Sequence, residues 1–262
     1  MLVTHCEFTL YVICYIVRME IKRAKVPKEF QVKVKDKTPE GYPSKYFSGI
    51  IAGSSRSGKT TCITHLLNQL APAYENVLVF TPSIEDEIWT SLRKQKNVYF
   101  TDIISNHILA TIFERQKQAF KKDKDNTLLI VVDDYGILAR LTGQDVNKPR
   151  PEQEVVSTGI KQSLDILYSR ARHFGTSILV SFHDCLQPSP LQRVNATHWL
   201  IYRLNERQYE KVSPELKCHL TDKEFLAKAD ECTKEAYNFL YVDLKAKNKE
   251  DVFRHGRPAP EE

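Results

Sequence analysis

The chain has 262 residues, a length that accommodates one large domain or two small ones. Its 42% apolar and 27% charged residues are typical of globular proteins, and 9 glycines with 12 prolines exclude collagen-like or low-complexity chains. The 38 Lys and Arg residues exceed the 33 Asp and Glu residues, which gives a net charge of +5. An excess of this size permits binding of a polyanion without identifying one.

We expect residues 1–46 to form an N-terminal arm, of which Lys22–Tyr46 is rich in lysine and punctuated by proline, with one edge strand at Phe30–Val34. The apolar stretch Leu2–Val17 contains a His and a Glu and is shorter than the about 20 residues of a membrane helix. We therefore expect neither a signal peptide nor a membrane span. Met19 is an alternative start, in which case residues 1–18 are not native.

The six cysteines are scattered along the chain without any Cys-x-x-Cys pair. This spacing predicts neither a disulfide framework nor a structural zinc site. The pattern favours a reducing compartment.

From residue 47 onward, strand-like and helix-like segments alternate. The predicted strands are Phe47–Ala52, Val77–Phe80, Val98–Phe100, Leu128–Val132, Ser177–Phe182, His198–Tyr202 and Tyr237–Val242. The predicted helices are Lys59–Leu70, Ile84–Arg93, Ile104–Lys121, Gly159–His173, Asn205–Val212 and Asp222–Asp230. This alternation predicts one α/β domain over residues 47–244, with a mostly parallel central sheet flanked by helices on both faces. We expect a loop at Gln144–Glu154 and a charged, disordered tail at residues 245–262.

The segment that follows the first predicted strand reads Gly-Ser-Ser-Arg-Ser-Gly-Lys-Thr and matches the motif Gly-x-x-x-x-Gly-Lys-[Ser/Thr]. In this motif the backbone amides surround phosphate groups, and the N-terminus of the next helix adds its dipole. We expect Lys59 to contact the β- and γ-phosphates of ATP and the Thr60 hydroxyl to bind Mg²⁺. The predicted nucleotide-binding residues are Gly53, Ser54, Ser55, Arg56, Ser57, Gly58, Lys59, Thr60 and Thr61.

Two adjacent acids follow the apolar run Leu128–Val132. A strand of five apolar residues is buried on both faces, and ligands bind at the carboxyl ends of such strands. We expect Asp133 to bind Mg²⁺ and Asp134 to orient or deprotonate the attacking water.

Further polar residues flank the next predicted strand. His183 stands at its end, two residues after Ser181, and is a candidate sensor of the γ-phosphate. Arg172 before the strand and Arg193 after it are candidate arginine fingers. The predicted catalytic set is therefore Lys59, Asp134, His183, Arg172 and Arg193.

Together these motifs resemble the poxvirus-type genome-packaging ATPases of large DNA viruses and virophages, within the FtsK–HerA class of P-loop DNA pumps. The resemblance spans about residues 47–202. Its elements are the phosphate loop, the strand that ends in Thr81-Pro82, the acid strand, the Arg172-His173 step and Arg193-x-Asn195. The family usually has Gln as the sensor and often Glu as the second acid, where this chain has His183 and Asp134.

The resemblance implies a RecA/FtsK-like ATPase that forms a homo-oligomeric ring, uses an arginine finger in trans and drives double-stranded DNA into a capsid. It implies non-specific contacts with the DNA backbone, for which Lys22–Lys45 and Lys148–Arg150 are candidates, and a capsid or portal partner. Such a protein acts inside the host cell where virions assemble, with virion association as a further option, and needs no membrane. A helicase or mobilisation pump of the same class, or an ATP-gated capsid-assembly protein without motor activity, stays open as an alternative.

Overall fold

A computed structural model of the chain describes residues 37–143 and 150–257. Its strands are β1 Ser48–Ala52, β2 Asn76–Phe80, β3 Val98–Thr101, β4 Leu128–Val132, β5 Thr176–Phe182, β6 His198–Ile201, β7 Phe239–Asp243 and β8 Phe253–Gly256. They form one sheet in the order β3-β2-β4-β5-β1-β6-β7-β8. Strands β1 to β6 all run parallel to one another, and β7 is antiparallel to both β6 and β8. The predicted mostly parallel sheet is confirmed.

Helices cover both faces of the sheet, as predicted. They are α1 Lys59–Leu70, α2 Thr90–Arg93, α3 Asn106–Lys122, α4 Tyr135–Gly143, α5 Arg150–Arg170, α6 Pro190–Asn195, α7 Glu206–Leu216 and α8 Asp222–Cys232. Residues of α1 and α2 pack into one hydrophobic cluster, and residues of α3, α4, α5, α7 and α8 pack into another. The two clusters lie on opposite faces because neighbouring strand residues alternate between them.

Strand β4 shows how the sequence produces this arrangement. Leu128, Ile130 and Val132 belong to one cluster, whereas Leu129 and Val131 belong to the other. All five side chains are buried, so the continuous apolar run satisfies both faces of a central strand.

The order of the strands brings three segments of the site together. Strand β5 lies between β1 and β4, with Phe182 paired to Ala52 and Val180 paired to Val132. The carboxyl ends of β1, β4 and β5 are therefore neighbours. The residues that follow these ends, including Gly53 and Asp133, meet at one edge of the sheet.

Three local predictions differ from the structure. Helix α4 occupies Tyr135–Gly143, where no element was predicted, and α5 begins at Arg150, within the predicted loop Gln144–Glu154. Pro151 does not break α5, because a proline is tolerated in the first turn, where a helix leaves its N–H groups unpaired. The predicted helix Ile84–Arg93 is reduced to a 3₁₀ turn and α2, since the extended backbone at Asp86 interrupts it.

Both ends of the predicted domain also extend further than expected. The predicted disordered tail includes β8, which pairs with β7, so disorder is wrong for its described part. The sequence did not indicate this strand, because Arg254 and His255 are adjacent polar residues and do not alternate with apolar ones. Charged residues of this kind are common in edge strands. At the other end, Pro43 is buried and the Tyr42 hydroxyl lies 2.9 Å from Nε2 of His65, so this part of the arm packs on the domain.

Several predictions fall outside the described residues: the apolar stretch Leu2–Val17, the start at Met19, the edge strand Phe30–Val34, Lys148, and the tail from residue 258 onward. Among the residues that the structure describes, no helix combines the length and the apolar composition that a membrane crossing requires.

Candidate active site

The phosphate loop connects the end of β1 to the start of α1, as the sequence predicts. Gly58 immediately precedes the helix with φ 94°, a left-handed conformation that glycine adopts without steric cost. Arg56 is also left-handed, with φ 62°, which is unfavourable for a residue with a side chain. Strained residues of this kind cluster at functional sites, so the loop has the backbone expected of a phosphate cradle.

Lys59 lies inside this loop and is only 7% exposed. Its Nζ donates hydrogen bonds to the carbonyl oxygens of Gly53 at 2.8 Å and Ser54 at 2.7 Å. Burial lowers the pKa of Lys59, while the charges of Asp134 and Asp133 oppose this shift. The ammonium group is therefore partly desolvated. Phosphate oxygens can replace the two carbonyl oxygens as its hydrogen-bond partners.

Asp133 is buried at the end of β4 and accepts hydrogen bonds from three hydroxyl groups. The donors and their shortest distances are Thr60 at 3.1 Å, Ser181 at 3.1 Å and Thr81 at 3.4 Å. Burial raises the pKa of Asp133, and the hydroxyl donors from Ser181 and Thr60 counteract this shift by stabilising the carboxylate. The Thr60 hydroxyl and the Asp133 carboxylate thus bring together two oxygen ligands of the type that Mg²⁺ prefers.

Asp134 takes a left-handed backbone conformation, with φ 50°, and its side chain contacts His183, the residue that follows β5. Its Oδ1 lies 2.8 Å from Nε2 of His183, and its backbone N–H donates to the Ser181 hydroxyl at 2.8 Å. Oδ1 also accepts a hydrogen bond from the Ile137 N–H at 3.3 Å, so Asp134 caps the first turn of α4. The structure therefore pairs the predicted water-activating acid with the predicted sensor.

These groups face one cavity of about 320 Å³. It is lined by Ser55, Arg56, Gly58, Lys59, Thr60, Thr61, Asp133, Asp134, His183 and Tyr237. Within the described part of the chain, the Ser57 hydroxyl of the same loop is buried without a hydrogen-bond partner. A buried hydroxyl in this position is suited to an anionic ligand, so the loop fits the phosphate groups of a nucleotide.

The two candidate arginine fingers lie elsewhere. Arg172 is exposed in the 3₁₀ turn before β5, at the amino edge of the sheet and thus opposite the phosphate loop. Arg193 on α6 is largely buried, and its guanidinium donates to Glu215 at 3.0 Å and to the Pro188 carbonyl at 3.1 Å. Neither arginine lines the cavity of its own chain, so both finger assignments stay predictions about a neighbouring subunit.

Three residues around the site had no predicted role. Thr81 follows β2, and its position at a strand end beside β4 is a signal that could have identified it. Gln187 accepts a hydrogen bond from the backbone N–H of His183 at 2.9 Å, a loop contact that the spacing of the residues does not reveal. Tyr237 enters the site from the turn before the distant strand β7, and only the sheet order shows this proximity.

No protein-family model matches the chain, and no curated protein matches its sequence. Solved structures do resemble it. The DNA-packaging ATPase B204 from Sulfolobus Turreted Icosahedral Virus covers 81% of this chain and 98% of its own, with a TM-score of 0.54 and 16% identity. The genome packaging NTPase B204 from Sulfolobus turreted icosahedral virus 2, in complex with AMPPCP, covers 80% of this chain and 97% of its own, with a TM-score of 0.51 and 16% identity.

A plasmid protein shows a comparable likeness. The pCW3 conjugation coupling protein TcpA covers 82% of this chain with a TM-score of 0.54 and 12% identity, and the match spans 61% of TcpA. Identities this low establish the fold and not the activity. The chain shares the mixed α/β fold of these solved structures, and its described residues form eight strands in one mostly parallel sheet.

Proposed function

We propose that the protein is an ATP-hydrolysing motor that moves double-stranded DNA into a viral capsid. The observation that carries the proposal is the arrangement of Lys59, Asp133 and the Asp134–His183 pair around one cavity. Support also comes from the shared fold of a DNA-packaging ATPase and a conjugation coupling protein.

Each residue has a chemical role in this proposal. When bound, Mg²⁺-ATP supplies the reacting γ-phosphate and a divalent charge that neutralises it. Lys59 exchanges its carbonyl partners for phosphate oxygens, while Thr60 and Asp133 hold the metal ion. Asp134 accepts the proton of the attacking water or orients that water, and His183 fixes the Asp134 carboxylate in place.

The remaining features belong to the assembly that we propose. Subunits form a ring in which exposed Arg172 reaches the nucleotide of a neighbour, so hydrolysis in one subunit depends on the next. DNA contacts are to the phosphate backbone, because a translocating motor must accept every sequence. A capsid or portal component receives the DNA, and the host cell in which virions assemble is the place of action.

The test measures the hydrolysis rate of the full chain with and without double-stranded DNA of several sequences, at low and at moderate salt. We expect DNA to stimulate hydrolysis regardless of sequence, and the stimulation to weaken as salt rises, because backbone contacts release counterions. Hydrolysis without stimulation at either salt concentration would contradict the motor and favour an ATP-gated assembly protein.

A conjugative or mobilisation pump is the second candidate, favoured by the likeness to TcpA. The two motors differ in where the DNA arrives. If the protein packages genomes, DNA mixed with it, ATP and empty capsids from the same source becomes resistant to nuclease. DNA that stays sensitive, despite DNA-stimulated hydrolysis, supports the pump.

A further inference from the structure

Tyr237 lines the active-site cavity but has no part in the proposed hydrolysis. It precedes β7, exposes 57% of its surface and has a left-handed backbone with φ 66°. Three of the five non-glycine residues with positive φ in the described segments line this one cavity: Arg56, Asp134 and Tyr237. This backbone conformation is unfavourable for a residue with a side chain, and such strain concentrates at functional sites.

The tyrosine ring lies directly against the phosphate loop. A side chain added at Gly58 would meet Cδ1 of Tyr237 at 3.2 Å, so the ring covers the backbone of the residue that precedes α1. Within the part of the chain that the structure describes, the Tyr237 hydroxyl makes no hydrogen bond. The ring therefore presents an apolar surface beside the loop instead of anchoring it.

The sheet order places this ring on the side of the phosphate loop that lies away from β4. Strand β4, which carries the metal-binding acid, lies on one side of β1, and β7 lies on the other side beyond β6. The γ-phosphate must lie toward Asp133 and Asp134. The opposite end of a nucleotide that passes Thr61 is then directed toward β7, where Tyr237 stands.

We propose that Tyr237 stacks on the nucleobase of the bound nucleoside triphosphate. The inference rests on the proposed nucleotide site and adds the residue that holds the base. Stacking uses the face of the base and reads none of its hydrogen-bonding groups, so it tolerates every base and favours the larger purines.

The experiment compares ATP with inorganic tripolyphosphate, which lacks a base, by calorimetry on the full chain. Tyr237→Ala should weaken ATP binding about tenfold and leave tripolyphosphate binding unchanged. Tyr237→Phe should bind both as the wild type does, because the ring is kept. The matched control is Tyr99→Ala, which removes a tyrosine of similar exposure, 51%, from the far edge strand β3.

Tyr237→Gly separates binding from folding. Glycine relieves the left-handed backbone, so the melting temperature should rise by about 2–4 °C while ATP affinity falls as in Tyr237→Ala. A fall in melting temperature together with weaker binding of both ligands would assign Tyr237 a structural role and overturn the inference.

The outcomes also distinguish this inference from the proposed function. A wild-type chain that binds neither ATP nor tripolyphosphate contradicts the proposed function itself. A wild-type chain that binds both, with a Tyr237→Ala variant of unchanged ATP affinity, overturns the stacking role alone and directs the base to another surface. One such surface is the apolar cavity of about 240 Å³ on the other side of Thr61.

Discussion

Polar residues make different contacts at the two ends of the parallel strands, which we call the amino edge and the carboxyl edge of the sheet. At the amino edge, polar groups pair with one another or with backbone: Tyr74 with Ser177 at 2.7 Å, and the Ser48 hydroxyl with the Asn195 carbonyl at 2.6 Å. At the carboxyl edge, Lys59 and five further ionisable residues face a single cavity. The same strands therefore stabilise the domain at one edge and concentrate chemistry at the other.

This difference follows from how parallel strands are connected. Loops at the carboxyl edge lead into helices whose N-termini attract anions, whereas loops at the amino edge receive helix C-termini and return to the core. Mutations at the carboxyl edge should consequently change hydrolysis, and mutations at the amino edge should change stability.

Arg172 tests the difference between the two edges most strongly, because it lies at the amino edge and yet is proposed to act in catalysis on a neighbouring subunit. Arg172→Ala should lower the hydrolysis rate about 10³-fold without unfolding the exposed turn. Mixing this variant with inactive Lys59→Ala subunits should restore part of the rate. The control is Arg115→Ala on the exposed face of α3. An unchanged rate in Arg172→Ala would show that the amino edge takes no part in catalysis.

Asp134 tests the carboxyl edge directly. Asp134→Asn should lower kcat at least about 100-fold, since the amide cannot accept a proton from water, and should change KM little. Asp125→Asn is the matched control, because Asp125 lies in the exposed turn before the same strand that Asp134 follows. Equal rates for the two variants would exclude Asp134 as the base.

Two serines, Ser177 near the amino end of β5 and Ser181 near its carboxyl end, allow the two edges to be compared within one strand. Ser181→Ala removes a donor to Asp133 and an acceptor for the Asp134 N–H, so kcat should fall about tenfold and the free energy of unfolding by about 1–2 kcal/mol. Ser177→Ala removes hydrogen bonds to the Tyr46 N–H and the Tyr74 hydroxyl and should cost similar stability. Its rate should stay that of the wild type. Loss of activity in both variants would mean that Ser181 acts only through stability.

The smallest effect concerns His198, which is buried at the amino edge. Burial lowers the pKa of His198, and the nearby Asp243 carboxylate only partly opposes this shift. At pH values above the ordinary histidine pKa near 6.5, His198 is neutral in both the folded and the unfolded chain, and the fold keeps its full stability. As pH falls below that value, the unfolded chain takes up the proton first, and stability should drop by on the order of 1–3 kcal/mol.

Unfolding measured from pH 7 to pH 5 checks this prediction. The slope should disappear in His198→Gln and persist in His173→Gln, which changes an exposed histidine of the same edge. A slope that persists in His198→Gln would assign the pH dependence to other groups.

The sequence was sufficient for the parts of the site that depend on local pattern. The phosphate loop, α1 and β4 stand where their motifs predict, because strand burial and helix initiation are encoded by consecutive residues. The contacts of Tyr237 and Arg193 were not predictable, since each depends on residues that the sheet order or helix packing brings close. Strand β8 was missed because a half-exposed edge strand carries charges that resemble a solvated tail.

The active site at the carboxyl edge is tested most directly by the hydrolysis and binding of ATP by Lys59→Ala beside the wild-type chain. Lys121→Ala, on the exposed end of α3, serves as the control. We expect Lys59→Ala to fold normally and to lose both tight ATP binding and measurable hydrolysis, while Lys121→Ala retains both. A Lys59→Ala variant that hydrolyses ATP at the wild-type rate would contradict the assignment of the carboxyl edge as the active site.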